Sequence, residues 1–97
     1  MALNGKVVVI TGASSGIGAG LAEHFAKLGA RLVLTGRNAE NLNTVSLKCE
    51  TDEKPLLVVG DITSEEVAKN LIKSTIDHYG RLDVLVNNAG ILKIDSI

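Results

Sequence analysis

Apolar runs alternate with stretches of helical period along the whole chain. Residues 6–10 hold four consecutive apolar positions, three of them valine, and end at a glycine-bearing turn, which predicts a buried strand. Ile17, Leu21, Phe25 and Leu28 then recur at offsets of four, four and three, marking one face of a helix that Gly29 stops. The unit repeats. Residues 32–35 read as a strand, residues 39–50 as a helix with Leu42, Val45 and Cys49 inward, and residues 56–60 as a strand after the turn residue Pro55. Thr63-Ser64-Glu65-Glu66 has the form of a capping box, with Thr63 accepting from the Glu66 amide while Glu66 reaches back. The helix it starts carries Val67, Leu71, Ile72, Thr75, Ile76 and Tyr79 along one side and ends at Gly80. Residues 82–86 are a fourth buried strand.

Strict alternation of strand and helix, with connections too long for hairpins, predicts an α/β fold. Its βαβαβαβ chain would form a parallel sheet wound by right-handed crossovers. The 97 residues suffice for one small domain. Hydrophobic residues at 45% and charged residues at 22% are a globular composition, not a disordered one. A formal charge of -1 leaves no basic field for nucleic acid or an anionic membrane surface, and two aromatic residues, Phe25 and Tyr79, make no base-stacking platform. Cys49 is the sole cysteine, which excludes an internal disulfide within these residues and fits a reducing compartment; its phase with Leu42 and Val45 marks it as core. His24 and His78 fall on polar or terminal helix positions and read as solvated. With no run near the roughly 18 apolar residues of a membrane span and no signal-peptide pattern at the start, a cytoplasmic location is the expectation.

The chemistry begins at the end of the first strand. Thr11-Gly12-Ala13-Ser14-Ser15-Gly16-Ile17-Gly18 leads directly into a helix. Its glycine offsets differ from G-x-G-x-x-G, but the physical logic is shared: glycines permit a tight turn and close approach to a pyrophosphate, which amides and the positive helix end then hold. Ser14 and Ser15 can add hydroxyl donors. The plainer reading is a turn that serves only close helix–strand packing; the strand before and helix after favour nucleotide binding.

Three further motifs follow at strand ends: Arg37 after the second, Asp61-Ile62 after the third, and Asn87-Asn88-Ala89-Gly90 after the fourth. With the Thr11-Gly12-x-x-x-Gly16-x-Gly18 pattern, they make the chain resemble the N-terminal, cofactor-binding part of the short-chain dehydrogenase/reductase family, from Lys6 to about Gly90. The resemblance implies a Rossmann-type sheet of strand order 3-2-1-4, incomplete as a doubly wound fold, so residues 1–97 form a partial NAD(P)-binding domain. It also implies that Gly12, Ser14, Ser15, Gly16, Ile17 and Gly18 cradle the cofactor, that Asp61 and Ile62 contact adenine, and that Asn88, Ala89 and Gly90 pass beneath the ribose. Asp61 also suits the start of the following helix, and Asn87 or Asn88 could serve local backbone groups.

In Rossmann sites a carboxylate about 20 residues past the glycine loop takes a ribose 2′-hydroxyl, whereas an arginine accommodates a 2′-phosphate. Arg37 stands nineteen residues past Gly18, and Gly36 occupies the place of an acid. NADP(H) is therefore expected over NAD(H), the alternative for Arg37 being a solvated charge. The family's catalytic Ser and Tyr-x-x-x-Lys are not contained here: Tyr79 is followed four residues on by Asp83, and fits the helix stripe with its hydroxyl near the surface. The expectation is an oxidoreductase of carbonyl or secondary alcohol substrates whose first 97 residues alone are inactive, and a homo-oligomer when complete. The alternatives are a non-catalytic nucleotide-binding or regulatory module, and an S-adenosylmethionine-type Rossmann protein, against which Arg37 argues.

Overall fold

Valine- and leucine-rich runs form four strands that line up in parallel, and the segments of helical period pack over both faces of the sheet. In this computed structural model, which describes residues 2–88, the elements are β1 (Val7–Ile10), α1 (Gly16–Lys27), β2 (Arg31–Gly36), α2 (Ala39–Lys48), β3 (Leu56–Val59), α3 (Glu65–Tyr79) and β4 (Val84–Val86). The sheet order is β3-β2-β1-β4, as expected. Val9 pairs with Val33 on one side and Leu85 on the other, and Leu34 pairs with Leu57. Among the described residues no helix is long and apolar enough to cross a membrane.

Every residue of β1 is buried because the strand is central and covered on both faces. Val8 and Ile10 join Leu32, Leu34, Leu42, Val45 and Cys49 beneath α1 and α2; Val7 and Val9 join Val33, Val58, Ala68 and Leu71 beneath α3. Burial pushes the Cys49 thiol up, aided by the charge of Glu23, so it behaves as a packed apolar group.

Three expectations need correction. The buried face of α1 is Gly18, Ala22 and Ala26, not the larger stripe one residue earlier; Leu21 and Phe25 pack at its flank and Ile17 is 73% exposed. Small residues let this helix lie close to the sheet, which a leucine stripe would not allow. The N-cap of α3 is Ser64, whose hydroxyl accepts from the Val67 amide, and not Thr63, whose amide and hydroxyl both donate to Asp61. Neighbouring hydroxyls competed for the cap, and the carboxylate two residues back took Thr63. Tyr79 turns its hydroxyl inward onto the Leu32 carbonyl at 3.4 Å, and burial, with Glu53 nearby, pushes its ionisation up; Ile76, placed on the same stripe, is 43% exposed. Strand and helix ends otherwise shift by one or two residues: α2 stops at Lys48, with Cys49 as its cap. α3 stops at Gly80, which adopts the left-handed conformation that lets its amide close on Ile76.

At the margin of the sheet β4 is short, and Val84, Leu85 and Val86 are each only partly buried. Among the described residues nothing pairs with its outer side. A polypeptide of residues 1–97 made alone is therefore expected to self-associate or to melt without a sharp transition. Sedimentation velocity would show species above 10.2 kDa; a monomer with a sharp cooperative melt contradicts this.

Candidate functional site

The carboxyl ends of all four strands open onto one cleft of about 290 Å³, where an open α/β sheet receives its ligands. Gly12, Ser14 and Ser15 line it from the loop after β1, Thr35, Gly36, Arg37 and Asn38 from the end of β2, Gly60, Asp61, Ile62 and Thr63 from the end of β3, and Asn88 from beyond β4. A larger cleft of about 470 Å³ lies at the opposite end of the sheet, between the Asn4-Gly5 turn, Arg31 and the acidic residues Glu50, Asp52 and Glu53. It receives helix C-termini rather than an N-terminus, so the smaller cleft carries the anion-binding geometry.

The glycine loop is organised around a single carbonyl. The Gly12 oxygen accepts from the Ser15 amide at 3.2 Å, the Ser15 hydroxyl at 2.8 Å and the Asn88 side-chain amide at 3.3 Å. Gly12 itself has φ 63°, which a side chain would disfavour. Gly18 lies against the same oxygen: a Cβ there would stand 2.1 Å from it. The Ser15 hydroxyl caps α1 by accepting from the Gly18 amide at 3.4 Å, leaving the Gly16 and Ile17 amides as the helix's first donors without partners among the described residues. The two serines thus divide the roles assigned to them together: Ser15 directs its proton to Gly12, while the Ser14 hydroxyl has no hydrogen-bond partner among the described residues.

Thr11 and Asn88 tie this loop to the end of β4. The Thr11 hydroxyl donates to Asn87 Oδ1 at 3.0 Å and accepts from the Asn88 amide at 2.9 Å, while Asn88 Nδ2 also reaches Ser15 Oγ at 3.2 Å. Asn88 thus meets both the local backbone and the cleft. Ala89 and Gly90, the other two residues expected at the ribose, lie outside the described residues.

Across the cleft, the Thr63 hydroxyl donates to Asp61 Oδ1 at 2.7 Å and the Thr63 amide at 3.0 Å, and these bonds, with the nearby Arg37 charge, hold the Asp61 carboxyl below the usual range. Only one carboxylate oxygen is used among the described residues, so Asp61 shapes the chain before α3 and still faces the cleft with an acceptor. Ile62 lines the cleft at 6% exposure, most of it packed against the α3 core. Arg37 is exposed at the rim. Gly16, Ile17 and Gly18 stand at the loop's helix end rather than in the cleft wall.

Sequence reasoning gave no role to Asn38 or Asp83, and took Thr11 only as the head of the glycine pattern. Asn38 caps α2, accepting from the Asn41 amide at 2.9 Å, and its position before an apolar-periodic stretch was a readable signal. Asp83 gave no local signal. At the far end of the sheet its carboxylate accepts from the Val7 amide at 2.8 Å and forms a two-pronged pair with Arg81, which brings its pKa to about 2 from 3.8. A carboxyl depressed in the folded state stabilises above its unfolded value and loses that contribution as pH falls through the folded one. Asp83→Asn should therefore melt lower than the parent at neutral pH, with the gap closing between 3.8 and about 2 in acid titrations followed by circular dichroism. A gap independent of pH would contradict it.

Residues 6–97 match the short chain dehydrogenase family. The 11-beta-hydroxysteroid dehydrogenase A of Sesamum indicum is 45% identical over 95 residues, which cover 96% of this chain and 27% of that protein. L-Sorbose reductase from Gluconobacter frateurii, solved with NADPH and L-sorbose, superposes with a TM-score of 0.86 at 38% identity, over 100% of this chain and 38% of that one. A 3-ketoacyl-(acyl-carrier-protein) reductase from Brucella melitensis, solved with NADH, gives a TM-score of 0.77 at 34% identity, over 84% of this chain and 33% of that one. The chain thus spans well under half the length of these relatives. The glycine loop against a helix N-terminus, the strand order and these matches agree: the chain belongs to the short-chain dehydrogenase family of oxidoreductases.

Proposed function

We propose that the protein is an NADP(H)-dependent oxidoreductase of carbonyl or secondary alcohol substrates, in which residues 1–97 form the part of a Rossmann domain that holds the adenosine and pyrophosphate of the cofactor. The observation that carries this reading is the single cleft that joins a capped helix N-terminus to Arg37, with a glycine at the neighbouring position 36. Bound there, the cofactor supplies or accepts the hydride.

The residues fit such a ligand. The amides of Gly16 and Ile17, without partners among the described residues, stand at the positive end of α1, where a pyrophosphate is favoured, and Gly18 keeps the helix close enough to deliver them. Ser14 adds a hydroxyl. Arg37 supplies a planar fork for a 2′-phosphate, and Asp61 an ionised acceptor for an exocyclic adenine amine, with Ile62 behind it. Asn88 holds the loop from below, and Ala89 and Gly90 would continue along the ribose. The cofactors seen in the two related structures differ, NADPH in one and NADH in the other, so the preference rests on Arg37.

Titrating the intact protein with NADPH and with NADH, and following nicotinamide fluorescence, tests this directly. NADPH is expected to bind at least about tenfold tighter, the least that one charge-assisted phosphate contact contributes. Equal affinities, or tighter NADH, would refute the preference, and binding of neither would refute the site.

A further inference from the structure

The turn that leads into β1 holds the one Asn-Gly step in the 97 residues, Asn4-Gly5. Its two ends are tied: the Lys6 amide donates to the Leu3 carbonyl at 2.9 Å, and the Leu3 amide donates to the Leu28 carbonyl at the end of α1, also at 2.9 Å. The peptide between them is not tied. Asn4 and Gly5 are both exposed, and among the described residues the Gly5 amide has no acceptor and the Asn4 carbonyl no donor. Gly5 stands at φ 78°, where a type II turn takes glycine, and glycine adopts either sign of φ about equally, so this peptide plane can swing while the bond that closes the turn holds. The Asn4 side chain makes no hydrogen bond among the described residues. It lies over Gly29, where a Cβ would collide with Asn4 Oδ1, in the cleft that Glu50, Asp52 and Glu53 line beside the carboxyl end of α1.

We infer that Asn4 is a site of spontaneous deamidation, and that the product carries a charge this corner of the fold disfavours. When the peptide plane swings, the Gly5 nitrogen, unobstructed by a Cβ, attacks Asn4 Cγ. The N–Cγ bond forms, the Cγ–Nδ2 bond breaks, and ammonia leaves with the proton that the Gly5 amide gives up, which closes a five-membered imide. Water then opens either imide carbonyl and leaves aspartate, or isoaspartate with the main chain running through the former side chain. Because the Gly5 N–H bonds nothing among the described residues, its loss in the imide breaks no hydrogen bond described there. Both products put a carboxylate at the negative end of α1, in a cleft lined by three acids and one cation, Arg31. Isoaspartate also lengthens the main chain inside a turn whose ends are fixed, which strains the bond from Leu3 to Leu28.

Holding the intact protein in warm neutral buffer and mapping its peptides over time tests this. The peptide that ends at Lys6 is expected to take on the mass of the acid, in aspartate and isoaspartate forms, before the peptides that carry Asn38, Asn41, Asn43 and Asn70, none of which precedes glycine. If Asn4 keeps its amide as long as those residues do, the inference is overturned. Gly5→Asn keeps the backbone, since asparagine tolerates positive φ and a Cβ there meets nothing within 4 Å, yet its side chain hinders the attacking nitrogen. It should slow the conversion of Asn4 while melting like the parent, and conversion at the parent's rate would overturn attack by the Gly5 nitrogen. Asn4→Asp reads the charge alone: its melting temperature should fall by about 1–4 °C at neutral pH, with the gap narrowing as salt is added. A melt equal to the parent's or higher would overturn the second half of the inference, the cost of the new charge.

Discussion

Replacing Arg37 with alanine is expected to weaken NADP(H) binding ten- to hundredfold and to leave NAD(H) binding within about twofold. A hydrogen bond to a charged group contributes about 1.5 to 3 kcal/mol, and the guanidinium fork matches phosphate oxygens two at a time. Only the 2′-phosphate distinguishes the cofactors, so a residue that reads it affects one and spares the other. Arg37 is exposed at the cleft rim, and the NADP(H) preference should therefore shrink as ionic strength rises. Lysine at 37 should fall between arginine and alanine, because it keeps the charge and loses the fork. Equal losses for the two cofactors would show Arg37 to be a solvated charge.

Gly18→Ala should remove dinucleotide binding of either kind and lower stability, by about 1–3 kcal/mol for an overpacked site. The added methyl would stand 2.1 Å from the Gly12 oxygen, 2.8 Å from the Gly12 carbonyl carbon and 2.9 Å from Ala13 Cα. All three are backbone atoms, so no side-chain rotation relieves the contact and the loop or the helix must move. Either movement shifts the Gly16 and Ile17 amides from the place proposed for the pyrophosphate and breaks the bonds that converge on the Gly12 carbonyl. Gly16→Ala provides the contrast, since a Cβ there meets nothing within 4 Å. It should melt like the parent or slightly higher, as alanine favours the helix, while its methyl intrudes on the approach to the amides and weakens binding. Melting curves and nicotinamide fluorescence on the two variants separate loop integrity from ligand access. A Gly18→Ala protein that binds and melts like the parent would overturn the close-packing argument.

Much of this architecture was legible because strands buried on both faces read as unbroken apolar runs, and β1 and β2 are buried in that way. The cleft residues were legible for another reason: Gly12, Arg37, Asp61 and Asn88 each follow a strand, so knowing the strands placed them in one cleft. The helix faces were harder. Ile17, Leu21 and Phe25 form a stripe beside Gly18, Ala22 and Ala26, and hydrophobicity favours the larger residues, whereas close approach to a sheet favours the smaller. The cap of α3 turned on whether Asp61 would claim Thr63, which depends on the loop's shape. Asp83 and Val7 are 76 residues apart, and the bond between them exists only after β4 has docked on β1. Periodicity reports which residues are inside, and it is silent about polar bonds between elements distant in the chain.

The thin face of α1 has a wider consequence. Gly18, Ala22 and Ala26 are nearly all backbone, so the helix rests on the sheet as a beam on low supports, and the height of its amino end is fixed along its full length. A bulkier residue at Ala26, far from the cleft, would act as a wedge under the far end of that beam and change the tilt at which its first turn faces a phosphate. Affinity could then drift during evolution through positions that never meet the ligand, and an engineer seeking to retune it has a handle beneath the helix as well as above it.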